Sequence, residues 1–340
     1  MRWRTGLAVG TGLLAACTAD RTATEPDGIE RVSADRALAA NTWTLRAAQP
    51  SGGALYERFA GTAPNAAGQS IVYVFGGTDD QGGVVFQSSA YNVSTDTWSG
   101  GLATVGAFAA NGVGKIADRL YFSGGYNEAS QPRGFTNRLW AYDYANDQLT
   151  LRAPLPIFGA EGVSGVINGY LFVLPGTCSG DLWPVDPRFC AEEPTRRLFR
   201  YNPATDMWVS KRQAPHVHRA GAGVVMSGKL YVVGGFDSFD PVAALDVYDP
   251  ATNSWRTLAP IPEPGRAIGA VLQAKFHVLV GTKHYVYDPT TNRWRTLASS
   301  QFGHDALLKV QLNGRAHLLA VGANHGPNID IPNPSELYTP

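Results

Sequence analysis

The chain predicts an all-β fold in which a repeated unit of four antiparallel strands closes into a ring of six. Three observations carry this. First, Tyr91, Tyr142, Tyr201, Tyr248 and Tyr287 each stand seven residues before Trp98, Leu149, Trp208, Trp255 and Trp294. Second, an apolar run ending in glycine precedes each tyrosine, as in Ile71–Gly77, Leu120–Gly125 and Leu230–Gly235. Third, the sixth tyrosine stands at Tyr338-Thr339-Pro340, where the sequence stops short of its tryptophan. The absent half stands near the other end, in Asn41-Thr42-Trp43-Thr44-Leu45, which resembles Asn253-Ser254-Trp255-Arg256-Thr257-Leu258 with one residue fewer. A unit divided between the two ends is what a closed circular array requires, and repeats of this length point to such arrays.

Each element of the unit follows from its residues. The innermost strand is small and Gly/Ala-rich, as in Ala220–Val225. Next comes the apolar run; short β-rich runs without polar alternation fit strands covered on both faces. Degenerate copies are Leu171–Gly176, Phe276–Gly281 and His317–Gly322. The glycine doublets suit positive φ or a close backbone approach. The tyrosine strand follows, then an Asp-Pro-x-x-Asn turn, where proline presets φ and Asp and Asn bond their own backbone. The tryptophan strand lies outermost. Tyr and Trp recurring at fixed register mark packing between units, because each ring buries a large area. Stacked units bury their faces against two neighbours, so a 300-residue array needs no single large core.

Glycine doublet, spaced tyrosine and a tryptophan shortly past an Asp or Asn together resemble the kelch repeat, over about residues 41–340. The resemblance implies a six-bladed kelch β-propeller of four antiparallel strands per blade. Its ring would be closed by the N-terminal strand, Asn41–Arg46, pairing in the last blade, which begins near residue 304. Closure of that kind removes exposed sheet edges.

Composition bounds the function. Lys plus Arg and Asp plus Glu both number 28, so no overall field steers nucleic acid or an acidic membrane, and nucleic-acid binding is not expected. Residues 1–16 have signal-peptide proportions: Arg2 and Arg4, then an uncharged, mostly apolar run too short to span a bilayer. Leu14-Ala15-Ala16-Cys17 resembles a bacterial lipobox, which implies lipidation of Cys17 and an exported chain anchored to the cell envelope. An ordinary signal peptide cut nearby is the alternative. Residues 17–40 are polar and without a strong period, as a flexible tether would be. Cys178 and Cys190 lie in one long Pro-containing loop of the third blade. In an oxidising compartment they are expected to pair as a disulfide, while free thiols remain the alternative. That loop offers no histidine, so no metal is expected there.

Kelch propellers bind ligands at the channel mouth or on loops of one face, which by resemblance directs attention to residues just ahead of each inner strand. Blade by blade these are Arg58, Phe108, Glu161, His218 with Arg219, Arg266, and His304 with Asp305. The expected ligand-binding set is therefore Arg58, Glu161, His218, Arg219, Arg266 and His304. Arginine forks pair with carboxylates, and Glu161 or a histidine could move a proton, so the catalytic candidates are Glu161, His218 and Arg219. A structural role is the competing reading, since an arginine here is frequent in kelch repeats and can bond loop carbonyls. The chain is similar to galactose oxidase in its propeller, but that copper-radical site needs a Tyr–Cys cross-link and two His ligands. Here the internal cysteines share one loop, and His216 and His218 lack a third partner. It is also similar in blade number and export to bacterial sialic-acid mutarotases, exported kelch propellers with an arginine-rich funnel. The leading expectation is a monomeric, cofactor-free binding module for a carbohydrate or protein. The alternatives are a sugar mutarotase or epimerase at the mouth, and a structural component of the envelope.

Overall fold

The computed structural model describes residues 40–51, 55–79, 83–105, 107, 109–127, 134–176, 196–322 and 333–340. Cys17, Phe108, Cys178, Cys190, the signal-like segment and nearly all of the tether lie outside them.

Among the described residues there are six four-stranded antiparallel sheets. The first holds Phe59–Pro64, Ser70–Phe75, Ser88–Asn92 and Thr97–Leu102, from inner to outer. The second holds Val113–Ile116, Arg119–Ser123, Leu139–Asp143 and Gln148–Arg152. The third holds Val163–Ile167, Tyr170–Leu174, Phe199–Asn202 and Met207–Ser210. The fourth runs Ala222–Met226, Lys229–Val233, Leu245–Asp249 and Ser254–Leu258. The fifth runs Ala267–Leu272, Lys275–Val280, Lys283–Asp288 and Arg293–Leu297. In the sixth, Ala306–Leu312, Arg315–Val321 and Ser335–Thr339 are completed by Thr42–Arg46 from the other end of the chain. Trp43 sits opposite Tyr338, as Trp255 sits opposite Tyr248. The innermost strands touch in circular order, the sixth returning to the first. The ring is closed.

The second strand of each blade is almost wholly buried, because neighbouring blades cover both its faces. Inner strands approach closely where glycine lies: a Cβ on Gly165 would come within 2.6 Å of Val225 Cγ2 in the next blade. The doublet glycines do adopt positive φ, 71° and 86° at Gly234 and Gly235. A Cβ on Gly235 would meet the Arg219 carbonyl oxygen at 2.4 Å, so the second glycine admits the loop that leads into the inner strand.

The recurring tyrosines are the largest fully buried side chains. Each donates its hydroxyl to an Asp or Asn side chain in the turn that precedes the tryptophan: Tyr91 to Asp96, Tyr142 to Asp147, Tyr201 to Asp206, Tyr248 to Asn253 and Tyr287 to Asn292. Tyr338 donates to Asn41 across the chain ends. All six acceptors have positive φ, between 50° and 55°. Asp and Asn tolerate that conformation better than other residues with a side chain. The same Oδ1 accepts a backbone N–H from the preceding blade: Ala47, Ala103, Ala153, Arg212, Ala259 and Ala298 in turn. Five tryptophan indoles donate to the carbonyls of Ala47, Ala153, Arg212, Ala259 and Ala298, so at five of the six blade contacts one residue of the preceding blade is held at both N–H and C=O. The Asp/Asn that reads as a turn cap is thus also a stitch between blades.

Candidate functional site at the channel mouth

A cavity of about 200 Å3 lies on the axis, lined by the inner strands of all six blades and the residues leading into them. Its charged lining is Glu57, Arg58, Glu161, Arg266 and Asp305. Short backbone links place these groups. Ala109 N–H bonds Glu57 C=O, Glu161 N–H bonds Ala109 C=O, Ala220 N–H bonds Glu161 C=O, and Ala267 N–H bonds Ala220 C=O. Glu57, Ala109, Glu161 and Ala220 all have positive φ, 57°, 49°, 53° and 55°. The belt therefore ties five blades at the mouth through equivalent positions. Two of those positions carry glutamate in a conformation disfavoured for a residue with a Cβ, the kind of strain that clusters at functional sites.

Glu161 is the centre of charge. Arg266 NH1 lies 3.7 Å from its Oε1 and Arg219 NH1 lies 3.9 Å from its Oε2. The Arg219 guanidinium also lies 5.9 Å from the Phe236 ring centre, and its chain bridges to Phe236. Glu161, Arg219 and Arg266 are thus brought together from the third, fourth and fifth blades. Arg58 enters from the first. Its Nε donates to Gly76 C=O at 2.9 Å and NH1 to Gln49 Oε1, which is the loop-bonding role expected of a structural arginine. Burial lowers the guanidinium to about 10, against the opposing pull of Asp305.

His218 and His304 are placed differently. His218 is buried, with Nδ1 2.9 Å from Gly234 O and Nε2 3.2 Å from Asp246 Oδ2. Neither nitrogen is left for the cavity, and His218 is not among its lining. Asp246 also accepts from Thr257 Oγ1 and lies 2.9 Å from His216 Nδ1. Burial alone would raise this carboxyl, but the bonds from His218, Thr257 and His216 outweigh that and hold it below the usual range. His304 Nε2 lies 2.8 Å from Glu336 Oε2, and Glu336 also accepts from the Gln301 and Phe302 N–H groups. Asp246 and Glu336 each stand two residues before the blade tyrosine. Both histidines therefore fasten the loop that enters their own blade to its third strand, and the mouth takes Asp305 in place of His304. The expectation that both imidazoles face the channel is corrected on this point.

Sequence reasoning also passed over Glu57 and Tyr126. Glu57, rather than Arg58, holds the register of Glu161, a shift visible only in the positive φ and the hydrogen-bonded belt. Tyr126 packs its ring 4.8 Å from Phe135. Burial lifts its phenol well above the usual range, and the Glu161 and Glu57 charges add to the rise. Among the described residues no group of three or more His, Cys, Asp and Glu is arranged to hold a metal ion.

A closed ring of six four-stranded antiparallel sheets around a polar channel defines a six-bladed β-propeller. Its fold matches the solved structure of YjhT with a TM-score of 0.63 over 84% of this chain and 95% of that one, at 14% identity, a likeness of fold alone. The Kelch motif model matches residues 219–262, the fourth blade. Human Kelch repeat and BTB domain-containing protein 12 is 29% identical over 189 residues, 50% of this chain and 29% of that protein. Kelch-like protein 21 of Mus musculus is 40% identical over 65 residues, 19% of this chain and 11% of that protein. The chain spans less than a third of the length of these curated relatives. With the same landmarks on all six blades and the Kelch motif model matching one of them, the chain is a six-bladed β-propeller whose repeats are similar to kelch repeats.

Proposed function

We propose that this propeller is a binding module whose channel mouth receives one small polar unit, either a sugar ring or a protruding side-chain group of a protein partner. The observation that carries the reading is the pairing of Glu161 with Arg219 and Arg266, where Glu161 and Arg266 line one cavity with Glu57, Arg58 and Asp305. Sugar hydroxyls both donate and accept, so they match a rim that carries both carboxylates and guanidiniums. A cavity of about 200 Å3 is smaller than the roughly 300–1,000 Å3 of drug-sized sites, which restricts the occupant to one ring or one side chain. The test is saturation-transfer NMR of the full chain against monosaccharides, including acidic ones, beside a pull-down from envelope extract. Binding that is lost in Glu161→Gln and in Arg266→Ala supports the mouth. Binding untouched by both variants places the site elsewhere.

One observation favours a second reading, a sugar mutarotase or epimerase. Glu57 and Glu161 are two carboxylates at equivalent positions on one small cavity, and proton exchange at an anomeric centre asks for an acid and a base. In that reading proton transfer falls to Glu161 and Glu57, while Arg219 orients the substrate and His218 stays a clamp. Exchange NMR on sugar anomers decides it: catalysed interconversion that vanishes in Glu161→Gln establishes turnover, and rates equal to buffer reject it.

The compartment is proposed from residues alone. The basic start, apolar run and Leu14-Ala15-Ala16-Cys17 support export and lipid anchoring at Cys17, against a structural envelope role without a small ligand. Labelling with a palmitate analogue that persists in Cys17→Ser would overturn the anchor. Pairing of Cys178 with Cys190 fits that compartment, and two free thiols in the unreduced protein would refute it.

A further inference from the structure

A second cavity, of about 600 Å3, opens beside the first blade. Its walls include Leu55, Val84 and Phe86 on the apolar side and Arg58, Asp79 and Ser88 on the polar side. Arg58 lines both this cavity and the channel mouth. Three features mark the lateral cavity as built for a ligand.

The Arg58 residue is only 5% exposed, yet its hydrogen-bond partners are neutral, the Gly76 carbonyl and the Gln49 amide oxygen. Among the described residues no carboxylate lies within ion-pair distance of it. A buried cation is costly; the charge that opposes its burial, Asp305, lines the mouth and not this cavity, and burial still weakens the guanidinium's hold on its proton. Ser88 is 1% exposed, and its Oγ, on the same cavity, is buried without a hydrogen-bond partner. Phe86 is 39% exposed, one of the few large apolar side chains left open to solvent among the described residues. A guanidinium, an unanswered hydroxyl and an open aromatic face thus line one cavity.

We propose that this lateral cavity is a binding site, separate from the mouth, for a small monocarboxylate with an apolar or aromatic body. The carboxylate would pair with Arg58 and accept from Ser88 Oγ; the body would cover Phe86, Leu55 and Val84. Guanidinium and carboxylate match as a two-pronged pair. Asp79 on the wall disfavours a second negative charge, which sets a monocarboxylate above a phosphate. The volume falls inside the usual range for small-molecule sites.

The test uses the full chain with phenylacetate, phenylacetamide and phenyl phosphate, followed by NMR titration or calorimetry. Phenylacetate binds saturably, and the amide and the phosphate bind roughly tenfold more weakly, the scale of a lost charge-assisted pair. Phe86→Ala weakens phenylacetate by roughly tenfold through lost aromatic contact. Gly100→Phe weakens binding, since Gly100 lines the cavity and a Cβ there meets nothing within 4 Å, so bulk is added on its wall without a clash. Glu161→Gln, confined to the mouth, leaves phenylacetate unchanged. The proposal fails if phenylacetate does not saturate, if the amide binds as well as the acid, or if Gly100→Phe has no effect. It fails equally if Glu161→Gln abolishes binding, since that assigns the ligand to the mouth. Failure of the lateral site leaves the mouth reading intact, because the two sets of variants do not overlap.

Discussion

At Asp206, one carboxylate oxygen accepts from the Tyr201 hydroxyl at 2.6 Å and from the Ala153 N–H at 2.9 Å, while the backbone sits at φ 54°. The Tyr201 bond, then the Ala153 bond, holds this carboxyl below its usual range. Asp206→Ala leaves a buried phenol and an N–H of the neighbouring blade without their acceptor and puts alanine in the left-handed region. Urea unfolding is expected to show a loss of about 2–4 kcal/mol, summing the penalties for two unanswered donors. Asp206→Asn, which keeps the oxygen and tolerates the φ, is expected to stay within about 1 kcal/mol. Equal losses in both variants would contradict the stitching role. The recurrence of Asp or Asn at this place was legible in the sequence, but the second bond to the preceding blade was not. In the first five blades its donor lies 33 to 53 residues earlier in the chain, and although five of the six donors are alanines just past the outer strand, nothing local ties that alanine to an Asp or Asn of the next blade.

At the scale of the element, inner strands pack by lacking side chains. Gly165→Val sends atoms into Val225 Cγ2, 2.6 Å from the site of a Cβ, and Leu230 Cδ1 at 2.9 Å. Overpacking of this kind costs about 1–3 kcal/mol, to be read as a lowered melting temperature. A melting temperature equal to wild type would mean the blades are looser than described. Strand order and the glycine doublets were legible because each repeats in phase. The mouth was only partly so. Charged residues ahead of the inner strands could be read, but register differs by one residue between Glu57 and Arg58, and backbone φ decides it. His218 and His304 were read as ligand groups because their carboxylates stand 28 and 32 residues further along, on the third strand of their own blades. A two-residue offset from the blade tyrosine, Asp246 before Tyr248 and Glu336 before Tyr338, was the available signal.

For the whole molecule, closure rests on a seam with an unusual chemistry. His277 Nδ1 lies 3.0 Å from His284 Nε2 in the fifth blade, and His284 stacks edge-on against Tyr338 at 4.7 Å and Trp43 at 5.4 Å in the sixth. Burial lowers His277 to about 4 and His284 to about 3, the latter helped by its partner's charge. With both folded values below the ordinary 6.5, the unfolded chain takes up protons that the folded chain refuses. Stability is therefore full above about 6.5 and lost as the pH falls from there towards the folded values, at about 1.4 kcal/mol for each unit of separation. Melting temperature should fall between pH 6.5 and 4.5, and the double variant His277→Leu/His284→Leu should show a flatter slope whatever its absolute stability. An equally steep slope would remove the pair as the cause. The closing strand itself was legible from the split repeat; the histidine pair was not, since residues 277 and 284 carry no shared motif.

Hydrogen exchange followed by mass spectrometry, with and without a saturating ligand or partner, tests the mouth as the working surface most directly. Slowed exchange confined to the segments that enter the inner strands, around Glu57, Glu161, Arg219 and Arg266, is the expected result. Slowing restricted to the outer strands or to the turns that follow Tyr201 and Tyr248, with the mouth unchanged, would contradict it.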